Sequence, residues 1–189
     1  MEILLKFDEA CFHFINWTLS NPIFDFIMPL FHQPKYFIPL LLILWILAIF
    51  HDKPNRWKLA FIIPLVIILV DQSGLWIKKI VLRPRPFVTM DPGIIHHLVA
   101  PSGINLSFPS NHAANNAALA IVFSAVYYHL RFFFWGFAIT VMFSRIYIGV
   151  HYPLDVISGC LLGSFYGLIL VKGWDYFNNR HRVKTEEHI

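Results

Sequence analysis

Charge is what this sequence has least of: only 14% of its 189 residues are Asp, Glu, Lys or Arg, against 57% hydrophobic. A water-soluble domain of this length needs more polar surface than that, so an ordinary soluble fold is excluded. Cysteine is nearly absent as well. Cys11 and Cys160 lie far apart, each in an apolar stretch, which leaves no disulfide framework and no Cys-rich metal site. The formal net charge of +4 comes from Lys and Arg placed between apolar runs or at the end of the chain, so a nucleic-acid partner is not indicated. The start lacks the charged, apolar and small-residue order of a signal peptide, and the first segment is expected to stay in the mature protein. What the chain does have is apolar and aromatic: mean hydropathy is +0.59, with nineteen Phe, seven Tyr and six Trp. Such rings suit lipid contact and the two membrane interfaces.

Leu4, Phe7, Cys11, Phe14 and Ile15 recur at helical spacing with Lys6, Glu9, His13 and Asn16 between them, which predicts an amphipathic N-terminal helix lying in the interface. Asn21-Pro22 breaks it, and the short apolar stretch 23–32 is a second interfacial helix or part of a sixth span. Apolar runs at about 36–50, 58–82, 111–129, 132–149 and 153–171 each approach the roughly 17 to 25 residues that cross a bilayer. The expected fold is an all-α integral membrane bundle of five transmembrane helices, six if 23–32 joins them. It forms a single domain over 1–189: an N-terminal segment to 35, a catalytic bundle over 36–172 and a cytoplasmic tail from 173. One connection is long, about 28 residues from Arg83 to Ser110, and carries Pro84, Pro86, Pro92, Gly93, Pro101, Gly103 and Pro109. Connections of that length in compact bundles tend to be functional or disordered.

By parity of the spans, Lys53, Arg56, Lys58, Arg131, Lys172, Arg180, Arg182 and Lys184 fall on one side, which the positive-inside rule makes cytoplasmic. The Pro-rich connection and the Val150-His151-Tyr152 turn then face outward. Lys35, Lys78, Lys79, Arg83, Arg85 and Arg145 run against that rule near the outer side, which implies a task other than orientation.

Three polar clusters meet there: Lys78 with Arg85-Pro86 where the second span ends, Pro109-Ser110-Asn111-His112 where the third begins, and Ser144 to Asp155 across the turn between the fourth and fifth. Ionisable groups at span ends are costly unless they are paired, hydrated or functional. Lys78, Arg85 and Arg145 supply three positive charges, two of them forked guanidinium groups that match phosphate oxygens. Ser110, Asn111 and His112 open a span whose backbone N–H groups add donors for the same anion. This is phosphate-site chemistry without a Gly-rich nucleotide loop. His151 and Asp155 are four apart, so on a common helical face the carboxylate can hold the imidazole N–H. The other ring nitrogen is then free to attack phosphorus while His112, from another helix, serves the leaving group.

The order Lys78-x6-Arg85-Pro86, Pro109-Ser110-Asn111-His112 and Ser144-Arg145-x5-His151-x3-Asp155 resembles the three-part signature of the type 2 phosphatidic acid phosphatases, lipid phosphatases related to vanadium-dependent haloperoxidases. The resemblance covers about 58–171, with the spacing of small bacterial members. It implies that His151 is the nucleophile that becomes phosphohistidine, that Asp155 orients it, and that His112 is the general acid and base. It further implies that Lys78, Arg85, Ser110, Arg145 and the backbone N–H of Asn111 bind the phosphate. No cofactor or metal is implied, and the sequence offers no acidic cluster suited to Mg²⁺. The family commonly has Gly where Asn111 stands. Asn tolerates positive φ better than most residues, so a tight turn there is expected to survive, with the added side chain bearing on leaving-group choice.

Other polar residues invite plainer readings. Ser144 is expected to pack, and Gly159, Gly163 and Gly167, four apart, to bring helices close. Asp71 either pairs with Lys78 or supports the site from behind. His96 and His97 belong to the lip or to solvent rather than to a metal, and Asn115 and Asn116 bond between helices or support His112. Arg180, Arg182, Lys184, Glu186 and Glu187 form a solvated tail.

The expected partner is a membrane lipid with a phosphate or diphosphate head group, at a site that also takes free phosphate or vanadate and faces the periplasm or cell exterior. Undecaprenyl diphosphate heads the candidates. Phosphatidylglycerol phosphate, phosphatidic acid and lipid A phosphates follow. A vanadate-dependent oxidoreductase fits the anion site but not the spans. An anion channel or transporter needs charges along a pathway, whereas here they gather at one end.

Overall fold

The computed structural model describes residues 2–100 and 105–186, the side chains of 34–37 and 179–186 excepted. The expectations placed on Pro101, Gly103, Glu187 and the side chains of Lys35, Arg180, Arg182, Lys184 and Glu186 lie outside the described residues. The chain is built from helices: α1 Glu2–His13, α2 Pro22–Ile27, α3 Pro34–His51, α4 Arg56–Val81, α5 Pro86–Thr89, α6 Asn111–Val126, α7 Arg131–Tyr147 and α8 Pro153–Glu186. The five apolar runs expected to be spans fall on the helices α3, α4, α6, α7 and α8. Three stretches, Arg56–Val81, Tyr128–Tyr147 and Pro153–Asn178, are long and apolar enough to cross a membrane, and Ile38–His51 and Pro22–His32 are shorter apolar helices. Helix α6 has 16 residues and opens on the polar run Asn111-His112 and Asn115-Asn116. The last helix runs to Glu186 rather than stopping at 171, since nothing between Val171 and Glu186 breaks it: there is no proline, and Gly173 has no neighbour to displace.

Helix α6 packs against α4, α7 and α8. Its inner faces are small: Ala113, Ala114, Ala117, Ala118 and Ala120 are all buried. Gly159, Gly163 and Gly167 of α8 meet that stripe. A Cβ on Gly163 would lie 1.8 Å from the Ala114 carbonyl oxygen, and one on Gly159 would lie 2.3 Å from that of Ser110. With no hydrophobic force to drive helices together in lipid, such backbone contact supplies the dispersion energy that does. At the far end of the bundle Lys58 pairs with Asp175 at 2.7 Å and the Trp45 indole donates to the Leu59 carbonyl at 3.1 Å.

The N-terminal helix presents a face that the apolar periodicity did not single out. Asp8, Phe12 and Asn16, four apart, are buried against the bundle, while Leu4, Phe7 and Phe14 are exposed. Polar groups turn inward because each finds partners there. Asn16 donates to the carbonyls of Tyr147 and His96, both at 2.8 Å, and accepts from the His96 N–H at 2.8 Å. One side chain thereby ties the N-terminus, the long connection and the end of α7 together.

Candidate active site

Tyr147 ends α7 and Pro153 opens α8, and the turn between them holds His151 with 2% of its surface exposed. Gly149, at φ +80, makes that turn possible, since few L-residues adopt this conformation without strain. The N–H groups of Val150 and His151 both donate to the Arg145 carbonyl at 3.2 Å, so the turn folds back on the last helical residues. Asp155, wholly buried in the first turn of α8, sets Oδ2 3.6 Å from His151 Nδ1. Its other oxygen is held by Arg83 at 2.8 Å, and the Tyr152 N–H donates to Oδ2 at 2.8 Å. Nδ1 thus faces the carboxylate and Nε2 is the nitrogen left for chemistry. Burial pushes the His151 imidazole down to about 4, Asp155 pulls it back up, and Arg85 and Lys78 add to the drop. Its neutral form, which has a free nitrogen lone pair, is therefore the form present at neutral pH.

Every candidate from the three sequence clusters lies at this end of the bundle. Arg145, Arg85, His151 and His32 are all near enough to act electrostatically on His112. Arg145 is 1% exposed; it contacts His32 Nδ1 at 2.9 Å and donates to the Phe31 carbonyl. Lys78, also buried, donates to the carbonyls of Ser107, at 3.2 Å, and Pro109. It thereby fixes the segment that leads into α6. Arg85 is partly buried, with its backbone N–H on the Asn105 carbonyl at 3.1 Å. Ser110 caps α6: its Oγ accepts the Ala113 N–H at 3.4 Å, a role that does not use its hydroxyl proton. Its own N–H donates to the Asp155 carbonyl at 2.9 Å, joining the start of α6 to the start of α8.

One expectation needs correcting, and the alternatives left open for Asp71 are decided. Asn111 is the first residue of α6, and Leu82 alone among the described non-glycine residues has positive φ. The cap at Ser110 turns the chain one residue earlier, so no left-handed turn at 111 is required. Asp71 does not pair with Lys78; its Oδ1 accepts from Asn111 at 3.0 Å and Asn115 at 2.9 Å. The two residues share a helix face, but the Lys78 ammonium is drawn to the loop carbonyls. His96 and His97 divide: His96 Nε2 lies 3.7 Å from Asp25, and His97 stacks on Phe87 with ring centres 4.5 Å apart. Asn115 bonds between helices while Asn116 donates to the His112 carbonyl at 2.9 Å, and Ser144 donates to the Val141 carbonyl of its own helix.

Unlike His151, His112 is exposed, and it opens into a cavity of about 220 Å³. Asn115, Asn116 and His32 share its wall, and Phe31, Ile38, Leu41, Phe137 and Val141 make the rest apolar. The motifs did not reveal His32, Asp8, Arg83 as a partner of Asp155, or Asn16. The signal that could have found two of them is the i, i+4, i+8 spacing of Asp8, Phe12 and Asn16.

Buried imidazole beside carboxylate, a second imidazole at a cavity mouth and three cations, all at one end of an apolar helical bundle, define a membrane phosphatase. A family model for the PAP2 superfamily matches residues 55–179, and the chain belongs to that superfamily. Among relatives, it is 29% identical to the lipid A 4'-phosphatase of Bacteroides thetaiotaomicron, over 97% of this chain and 81% of that one. It is 32% identical to the undecaprenyl-diphosphatase of Sulfolobus acidocaldarius, over 67% of this chain and 59% of that one. The crystal structure of a transmembrane PAP2-type phosphatidylglycerolphosphate phosphatase from Bacillus subtilis superposes with a TM-score of 0.72 at 25% identity, covering 93% of this chain and 88% of that one.

Proposed function

We propose that the chain hydrolyses a lipid phosphomonoester at the outer face of the cell membrane through a phosphohistidine on His151. The observation that carries this reading is the pairing of a nearly enclosed His151, backed by Asp155, with an open His112 that lines a largely apolar cavity. Arg145, Arg85, Lys78, the Ser110 hydroxyl and the Asn111 N–H hold the phosphate oxygens. His151 Nε2 attacks phosphorus; the N–P bond forms as the ester P–O bond breaks, and His112 gives its proton to the departing alkoxide. Water, deprotonated by His112, then attacks the phosphohistidine, which releases inorganic phosphate and restores His151. The guanidinium groups and helix N-terminus stabilise the charge that builds on the equatorial oxygens. No step needs a metal. The lipid's apolar part lies along Ile38, Leu41, Phe137 and Val141, between α3 and α7.

Among the described residues, the walls beside His112 carry amides and a histidine but no Lys or Arg, and so suit an alcohol leaving group better than a second phosphate. The lipid A 4'-phosphatase relative also matches nearly the whole chain. Both points favour a phosphomonoester such as that of lipid A. Undecaprenyl diphosphate is the second reading, favoured by the identity to an undecaprenyl-diphosphatase over 67% of the chain. The basic residues at the opposite end, Lys53, Arg56, Lys58 and Arg131, favour an outward-facing site by the positive-inside rule.

The test is the initial rate of phosphate release in detergent from lipid A, undecaprenyl diphosphate, phosphatidylglycerol phosphate and phosphatidic acid, with and without chelator. A preference for a monoester, insensitive to chelator and abolished in His151→Ala, is expected. Faster release from the diphosphate would select the second reading. No release from any of the four would overturn both.

A further inference from the structure

Asp155 is gripped from a direction that its pairing with His151 does not explain. Arg83 Nη1 donates to Asp155 Oδ1 at 2.8 Å, and Arg83 Nη2 donates to Asp8 Oδ2 at 2.5 Å. Asp8 Oδ1 in turn accepts the N–H of Leu154, in the first turn of α8, at 2.8 Å. Both carboxylates have side-chain exposures of 0%, and Arg83 only 16%. The guanidinium also lies over the Tyr152 ring, 4.1 Å from its centre, and the Tyr152 hydroxyl meets Thr89 Oγ1 at 3.0 Å. Arg83 is therefore held by two carboxylates and a ring face, and it is not among the described residues that line the cavity of His112.

We infer that Arg83 and Asp8 are positioning residues that hold the Asp155 carboxylate in the orientation His151 needs, which makes the N-terminal helix a working part of the site. The inference rests on His151 being the nucleophile and Asp155 its orienting acid. A buried carboxylate facing a neutral imidazole lacks a compensating charge, and Arg83 supplies it. A lone guanidinium beside Asp155 would compete for the incoming phosphate, which wants the same forked donors. Asp8 removes that competition, because its Oδ2 takes the second arm of the fork. The same Asp8 holds the Leu154 N–H, so one residue of α1 sets the position of both Arg83 and the start of α8. Asp155 is left with Oδ1 occupied and Oδ2 directed at His151 Nδ1, which is the geometry that leaves Nε2 unprotonated.

The competing role is purely structural: a salt bridge that docks α1 and has no bearing on turnover. Steady-state kinetics of the purified full-length chain separate the two, using whichever of the four lipids named above the wild type turns over fastest. Arg83→Gln is expected to lower kcat roughly 10- to 100-fold with KM within about twofold, as a misplaced catalytic group does. Asp8→Asn should give a smaller fall of the same kind, and Arg83→Lys should restore part of the loss. In an Asp155→Asn background, Arg83→Gln should change kcat by less than about twofold, because its route to His151 is already cut. Should Arg83→Gln fail to fold, Arg83→Lys and Asp8→Asn decide the matter, each alone and with Asp155→Asn. Equal losses in both backgrounds, a rise in KM at unchanged kcat, or full activity in the variants would overturn the inference. A wild type inactive on all four lipids would remove its premise along with the proposed function, and is told apart by that alone.

Discussion

At the scale of single residues, the behaviour of His151 follows from where it sits. An imidazole whose folded value is pushed from 6.5 to about 4 costs stability once the unfolded chain binds a proton that the folded chain refuses. The folded state therefore holds its full stability above pH 6.5 and loses it as pH falls from there towards 4, by up to a few kcal/mol. A melting curve of the detergent-solubilised chain should show its midpoint falling over that window, and His151→Gln should flatten the fall. If the two proteins lose stability in parallel, His151 is not the group responsible. For Asp155→Asn the expected effect is on kcat, roughly 10²- to 10⁴-fold, by analogy with other orienting carboxylates whose loss leaves the wrong tautomer. The gathering of His151, Asp155, His112 and the three cations at one end of the bundle was legible from the sequence because each sits at or near a helix end on the same side of the membrane. His32 was not, since nothing near it in sequence distinguishes a buried imidazole from one facing the interface, and Asp8 and Asn16 showed only in a four-residue spacing with Phe12 that the stronger apolar periodicity of the same helix masked.

Among the elements, α6 and α8 set the site, because they carry His112 and Asp155 on adjoining N-termini. Their closeness depends on glycine. Gly163→Ala places a methyl group within 1.8 Å of a backbone oxygen that cannot swing away, so the helices must part. A cost of about 3 kcal/mol or more is expected, seen as a lowered melting temperature. At Gly74 the atom in the way is Asn111 Oδ1, at 2.5 Å, a side-chain tip. Gly74→Ala should therefore be tolerated in stability yet shift relative rates among the lipids, because it displaces a residue next to His112. Unchanged lipid preference would mean that the Asn111 side chain has no say in the leaving group. The small-residue spacing of α8 was readable in advance, since helices in lipid approach closely only across such stripes. The tie from Asp71 to Asn111 and Asn115 was not: one helix face of α4 offered Lys78 as an equally good partner, and the loop carbonyls of Ser107 and Pro109 decided against it.

For the molecule as a whole, orientation in the membrane is the testable property. In a chain with Cys11 and Cys160 replaced, a cysteine at the exposed Asp91 should react with a membrane-impermeant maleimide on intact cells. One at the exposed Asn178 should react only after the cells are opened. The reverse pattern would put the site in the cytoplasm. The amino-acid sequence by itself determined that the chain is a helical membrane protein, where its helices lie, and which polar residues stand at their ends. Those properties follow from composition, from the length of apolar runs and from the chemistry of side chains at fixed spacing, all of which are local. Tertiary structure alone decided which carboxylate grips Arg83, which carbonyls take Lys78, and which face of the N-terminal helix turns inward. Each of those is a choice among partners of similar chemistry, and it is settled by which groups packing brings within about 3 Å of each other.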